Sequence, residues 1–273
     1  LEDLGFARNQ AEILRKLLKV PHGLVLVTGP TGSGKTTTLN ALLREIVSDA
    51  LKVITIEDPV EFIVEGANQI QTNEQINLGF DGILRRVLRQ DPNVIMVGEI
   101  RDRATAELAV RAALTGHLVF STLHTNDAVS VIPRLTNMGV EPYLVASVLR
   151  GAIAQRLVRK VCPDCARSAV PSCRDARIFA AAGMPVKKTW EGSGCDRCGG
   201  TGFLGRTVVS ETFRVDPDFE ELILTGARVE QLERHLESHG MTSLAVDALK
   251  KISAGVTTLS EIEREIILAG TED

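Results

Sequence analysis

GLVLVTGPTGSGKTTTLNALLREIV, Gly23 to Val47, decides the fold. Its first seven residues are almost continuously apolar, as in a strand covered on both faces. Gly29 to Thr36 then fits G-x-x-x-x-G-K-[ST] in full, and the residues after it carry the apolar spacing of a helix. Strand, glycine loop and helix in that order are the context the motif needs. Gly32 and Gly34 let the backbone wrap so that successive N–H groups face phosphate oxygens, and the helix N-terminus adds its dipole. Lys35 reaches the β- and γ-phosphates and the Thr36 hydroxyl ligates Mg²⁺. The expected nucleotide-binding set is Gly29, Pro30, Thr31, Gly32, Ser33, Gly34, Lys35, Thr36 and Thr37.

Outward from this unit the pattern repeats. KVITIE (52–57), NVIMVGE (93–99) and LVFSTL (118–123) read as further buried strands. Helices are expected over 7–19, 79–90 and 102–116, and again over 127–139 and 142–160. Alternating strands and helices imply an α/β fold, a mostly parallel sheet with helices on both faces. The texture changes at Cys162: residues 162–205 are rich in Gly, Pro, Ser and Cys and suggest a small insert. RTVVSETF then reads as a strand, followed by four short helices for which Asp216, Ser243 and Thr258 are plausible N-caps.

Hydrolysis of a nucleotide also needs carboxylates for the metal and the attacking water. Glu99 closes the VIMVGE strand, and Glu57, Asp58 and Glu61 follow the KVITIE strand, where Pro59 fixes a turn. In open α/β sheets these carboxyl ends of strands are where ligands bind. The fourth strand is bracketed by two histidines in GHLVFSTLHTNDA. Six extended residues span roughly 20 Å, so His117 and His124 cannot share one zinc ion within a subunit. His124 falls on the same rim as the phosphate loop and is a candidate γ-phosphate contact; His117 is expected to serve support or a subunit contact.

Four of the five cysteines form two C-x-x-C pairs, Cys162/Cys165 and Cys195/Cys198, with 29 residues between the pairs. Two such turns can surround Zn²⁺ with four thiolates and leave no open position, so the site would be structural. An iron–sulfur cluster and four reduced thiols are the alternatives. Cys173 is a spare thiol.

The net charge of −4 and a pI near 5.8 give no electrostatic case for a nucleic-acid partner, and the cysteine turns lack a neighbouring basic–aromatic surface. No apolar run approaches the roughly 20 residues that span a bilayer. The start, LEDLGFARNQ, is neither an initiator methionine nor a signal peptide, which suggests a piece of a longer protein.

GPTGSGKTT, ITIEDPVEF, VIMVGEIRD and GHLVFSTLHTNDA occur in that order, joined downstream by LRQDP, AQRLVRKVCPDC, GCDRCGGTGFLGR and GMTSL. In this the chain resembles the type II/type IV secretion ATPase superfamily of RecA-like motors, and within it the general secretion pathway protein E branch. The four motifs correspond to that family's Walker A, Asp box, Walker B and His box, and the resemblance runs from about Pro21 to Ile266. It implies Glu57 as the water-activating carboxylate, Glu99 as a metal- or water-associated acid, and His124 beside the γ-phosphate. Arg89, Arg101 and Arg103 become candidates for interface or sensor roles. The implied division is a helical linker over 1–20, a RecA-like core over 21–161, a tetracysteine zinc insert over 162–205 and a C-terminal helical subdomain over 206–273. The implied cofactors are ATP, Mg²⁺ and Zn²⁺. The implied assembly is a homohexamer at the cytoplasmic face of the inner membrane. There it would act on the secretion platform and the cytoplasmic domain of a bitopic membrane protein, to drive pseudopilus assembly. Family members carry an N-terminal domain whose arginines reach the nucleotide, so this chain alone is expected to bind nucleotide but to turn it over slowly. RTVVSETF stands where the family has a GIYE-like strand. The insert separates secretion and pilus-assembly motors from retraction motors, and its roughly thirty-residue gap favours secretion. A RecA-like nucleic-acid translocase is the alternative from another class.

Overall fold

The computed structural model describes residues 1–76 and 78–268, with the Glu74 side chain left undescribed. Helix α1 (Arg8–Leu17) leads into β1 (Gly23–Thr28), α2 (Lys35–Ile46), β2 (Val53–Glu57) and β3 (Ala67–Gln71). Then come α3 (Phe80–Val87), β4 (Val94–Val97), α4 (Arg103–Leu114), β5 (Leu118–Leu123), α5 (Val131–Asn137) and α6 (Pro142–Val148). Strand β6 (Leu149–Val161) runs into the cysteine segment, which holds β7 (Ala166–Ala169), α7 (Cys173–Ala181) and β8 (Thr189–Gly192). Strand β9 (Phe203–Arg214) returns to the main sheet. The chain continues through α8 (Pro217–Leu224), α9 (Val229–Ser238), α10 (Leu244–Ser253) and α11 (Leu259–Ile262).

The main sheet has the order β3-β2-β4-β5-β1-β6-β9. Every pairing in it is parallel except β6 with β9. All six residues of β1 are buried, which explains its unbroken apolar text. Alternate residues of that strand serve two cores. Leu24 and Leu26 pack with α4 and α6 on one face; Val25 and Val27 pack with α1 and α2 on the other. Both layers hold the carboxyl ends of β1, β2, β4 and β5 level along one rim.

Residues 142–160 differ from the helix expected there: α6 ends at Val148 and the rest is β6, the strand between β1 and β9. A strand buried on both faces has no period-2 signature, so its apolar text passes for a helix. Gly151 is the local sign. A Cβ there would come 2.4 Å from the Phe213 carbonyl oxygen, so only glycine fits the crossing with β9. Strand β3, edge-paired to β2, has mixed burial and escaped the sequence reading. The Asp216, Ser243 and Thr258 caps form as expected, each side chain accepting a backbone N–H of its helix.

Candidate functional site

The turn after β1 takes positive φ at Gly29, Gly32 and Gly34, and the last of these is the N-cap of α2. This curls the loop over the helix N-terminus, where the dipole is positive. Lys35 folds back over the loop, its Nζ donating to the carbonyls of Gly29 (2.8 Å) and Pro30 (2.9 Å). Burial pushes its pKa below the usual lysine value, and the Glu99 carboxylate works against that shift. A half-buried cation that, among the described residues, donates its hydrogen bonds to carbonyls is chemically suited to an anionic ligand. Ser33 Oγ, in the same loop, is buried with no hydrogen-bond partner among the described residues. Both features fit a phosphate chain, and the nearby Thr36 hydroxyl and Glu99 carboxylate are oxygen donors of the kind Mg²⁺ selects.

One cavity of about 490 Å³ gathers the rim. Its walls include Thr31, Gly32, Gly34, Lys35, Thr36 and Thr37 from the loop, Glu57, Asp58 and Glu61 after β2, Glu99 and Arg101 after β4, and His124 after β5. A larger depression of about 830 Å³ lies at the opposite, amino-terminal end of β2 and touches none of these groups.

The acids differ in their surroundings. Glu57 is 3% exposed; its Oε1 accepts from Thr55 Oγ1 (2.6 Å) and Gln69 Nε2 (2.9 Å). The Asp58–Pro59 peptide bond after it is cis. Glu99 is half-buried between two basic side chains: Arg101 pairs with one oxygen, and His124 Nε2 lies 3.6 Å from the other. Thr28 holds the His124 loop, its hydroxyl accepting the Thr125 N–H (2.8 Å). Behind the phosphate loop, Gln155 of β6 accepts from Thr38 Oγ1 (2.9 Å) and donates to the Ser33 carbonyl (2.7 Å).

The other expected site residues lie elsewhere. His117 is at the far end of β5, its Nδ1 2.9 Å from the Ala112 carbonyl oxygen near the end of α4. Arg89 is exposed on the turn after α3, and Arg103 pairs with Glu107 on α4 (2.7 Å). Neither lines the cavity. Phe80, Leu157 and Arg206 do line it, and the sequence reading missed all three along with Gln155. Leu157 and Gln155 were hidden by the helix assigned to β6. Arg206 lies beside the cysteine turns in sequence and carries no signal of its own.

The four cysteines converge. Sγ–Sγ separations are 3.8 Å for Cys162–Cys195, 3.9 Å for Cys165–Cys198 and 3.7 Å for Cys195–Cys198, and all four sulfurs lie within 4.8 Å of one another. A tetrahedron with Zn–S bonds of about 2.3 Å requires S–S edges of about 3.8 Å, so the sulfurs fit a Zn²⁺ ion. Disulfides, at about 2.05 Å, are excluded. Burial disfavours the Cys198 thiolate, but N–H groups of Cys195 and Gly202 more than offset it and bring its pKa down to about 6. Cys165, with burial dominant, is pushed up to about 11. Arg197 and Asp164 form an ion pair across the two turns (2.8 Å). Cys173 stands apart, exposed at the start of α7. A second group, Asp216, His235 and His239, also lies within 4.8 Å. It is occupied by internal bonds: Asp216 caps α8 and takes His235 Nε2 at 3.1 Å.

Comparison with known proteins gives this geometry a context. Residues 1–264 match the family model of the Type II/IV secretion system protein. The chain is 44% identical over 264 residues to the Type II secretion system ATPase E of Vibrio cholerae, covering 97% of this chain and 52% of that protein. It is also 44% identical to the Type IV pilus assembly ATPase PilB of Thermus thermophilus, covering 96% of this chain and 30% of that protein. The chain thus spans about half or less of such relatives. Among solved structures, the pilus retraction motor PilT with bound ADP superposes with a TM-score of 0.72 at 29% identity, covering 100% of this chain and 66% of that one. The Legionella pneumophila ATPase DotB superposes at 0.70 and 26%, covering 97% of this chain and 64% of that one. With a family model spanning nearly its whole length and a fold to match, the chain belongs to the Type II/IV secretion system protein family.

Proposed function

We propose that the chain is the motor portion of an ATP-hydrolysing protein of a type II secretion system. The observation that carries this reading is the single rim cavity shared by Lys35, Glu57, Glu99 and His124. In it, Lys35 and the backbone N–H groups of 29–36 hold the β- and γ-phosphates. Thr36 and Glu99 are the groups that would hold Mg²⁺, which when bound supplies charge neutralisation across the phosphates. Glu57, held by Thr55 and Gln69, orients the attacking water and receives its proton. His124 meets the γ-phosphate and reports its loss, releasing or gaining Glu99 as it does so. Arg101, bound to Glu99, is the arginine placed to answer that change; Arg89 and Arg103 are assigned to subunit contacts.

The division proposed is a linker over 1–20, a RecA-like core over 21–161, the zinc insert over 162–205 and the helical subdomain over 206–273. The contrast between the large parallel sheet and the separate two-stranded β7-β8 sheet supports it. Zn²⁺ on the four cysteines would be structural, since four sulfurs leave no open position. Work is done as a homohexamer, cytoplasmic and peripheral at the inner membrane, through rigid-body motion passed to the platform. None of the described helices is long and apolar enough to cross a membrane. Pilus assembly is the second reading, favoured by equally similar relatives of that name. Complementation of secretion-deficient and piliation-deficient strains separates the two. The test of the activity is ATP turnover by the intact protein: Lys35→Ala should abolish it, and unaltered turnover would contradict a motor.

A further inference from the structure

The loop that carries His124 is held from a direction the proposed chemistry does not use. Glu211 lies in β9, 5% exposed, and its two oxygens serve different parts of the molecule. Oε1 accepts the Ala128 N–H at 2.6 Å, four residues beyond His124. Oε2 accepts the Leu244 N–H at 3.2 Å, a donor of the first turn of α10 that has no partner within its own helix. Arg156, on the neighbouring strand β6, holds the same loop. Its guanidinium donates to the Asn126 carbonyl at 2.9 Å and to the Glu265 carbonyl, beyond α11, at 3.3 Å. The residue before it, Gln155, holds the phosphate loop. The loop closes on itself through Asp127, which accepts the N–H and hydroxyl of Ser130 (both 2.7 Å).

We infer that Glu211 is a positioning residue: one buried carboxylate that fixes His124 against the rim cavity and ties its setting to the C-terminal helix α10. A buried carboxylate is costly unless hydrogen-bonded, and here its two oxygens accept from two segments far apart in sequence. Displacement of α10 therefore strains the loop, and movement of His124 on loss of a phosphate is felt at α10. The charged groups facing Glu211 are Arg156 from β6, Asp127 from the loop itself and Glu233 from α9. Arg156 is the one that favours its ionised form. The coupling runs over bonded neighbours and requires no change elsewhere in the sheet.

The functional side of this inference rests on the ATP-turnover reading, so the experiment has two arms. In the intact protein, Glu211→Gln keeps the shape but puts an NH₂ group against one of the two N–H donors. The first arm is amide hydrogen exchange. Residues 124–130 and 243–247 should both exchange faster in the variant, with 29–36 unchanged; unchanged exchange in 124–130 overturns the inference whatever the turnover. Where Glu211→Gln does not fold, Arg156→Lys, which withdraws the bond to Asn126, should loosen the same loop. The second arm is a double-mutant cycle on steady-state turnover. Glu211→Gln should lower kcat by about tenfold or more with KM for MgATP nearly unchanged, the scale expected when a reacting group is slightly misplaced. Added to His124→Ala it should lower kcat no further. Additive losses, or a fall in melting temperature with kcat intact, overturn it. If the wild type shows no turnover, the activity proposal fails by itself, and the exchange arm still decides whether Glu211 holds the loop.

Discussion

The rim cavity and the cysteine cluster are both made by turns at strand ends, yet they finish in opposite ways. Around the cavity, Lys35, Glu99 and His124 stay partly solvated, and each has a bond that a ligand can replace. In the cysteine cluster the sulfurs face one another, three of the four residues are buried, and N–H groups of Cys195 and Gly202 already point at Cys198. An open set of groups can bind, react and release. A closed set can only hold. The contrast implies that damage to the first should cost activity with little stability, and damage to the second the reverse.

The sharpest way to break that contrast is at its two centres. Lys35→Ala should cut ATP turnover by at least about 10²-fold, the scale for losing a principal charge-stabilising donor, while the melting temperature stays near that of the wild type. Next in size is Cys198→Ser, which should release one zinc per chain by elemental analysis. It should destabilise the protein by about 3 kcal/mol or more, since metal binding free energy is folding free energy in such modules. A protein that loses its zinc without losing stability would dissolve the comparison.

His124→Ala sharpens the account of the open site. It should lower kcat by about 10- to 100-fold and leave ATP affinity within about twofold; an equal loss in both would argue against contact with the γ-phosphate. The smallest effect concerns the join between the regions. Glu261 accepts from Arg159 at 2.6 Å, near the end of β6 where the chain enters the cysteine turns. That hydrogen bond, chiefly, holds the Glu261 carboxyl below its usual pKa. A lowered carboxyl pKa adds stability above the ordinary carboxylate range, and the gain is lost as pH falls through the folded value. Glu261→Gln should therefore cost about 1 kcal/mol at neutral pH, discounted for the half-exposed arginine. In urea titrations the cost should vanish under strongly acidic conditions.

The two regions also differed in how far they could be read in advance. The phosphate loop was legible because its chemistry is local: eight consecutive residues, flanked by a strand and a helix, specify it. The cysteines were legible because sulfur is rare and its spacing is short. Glu57 and Glu99 followed from their places at strand ends. What escaped depends on contacts distant in sequence. Gln155 reaches Ser33 across 122 residues, and Glu211 reaches Ala128 across 83. Reading β6 as a helix concealed Gln155, Arg156 and Leu157 together, because a doubly covered strand has no periodicity to betray it. Arg206 enters the cavity only once β9 has paired antiparallel with β6.

The most direct measurement is the affinity of a non-hydrolysable MgATP analogue for wild type, Lys35→Ala and Cys198→Ser, compared side by side in the intact protein. Tight binding that is lost in Lys35→Ala and largely kept in Cys198→Ser is the predicted result. Binding unchanged in Lys35→Ala, or lost equally in both, would contradict an open nucleotide site set apart from a closed metal one.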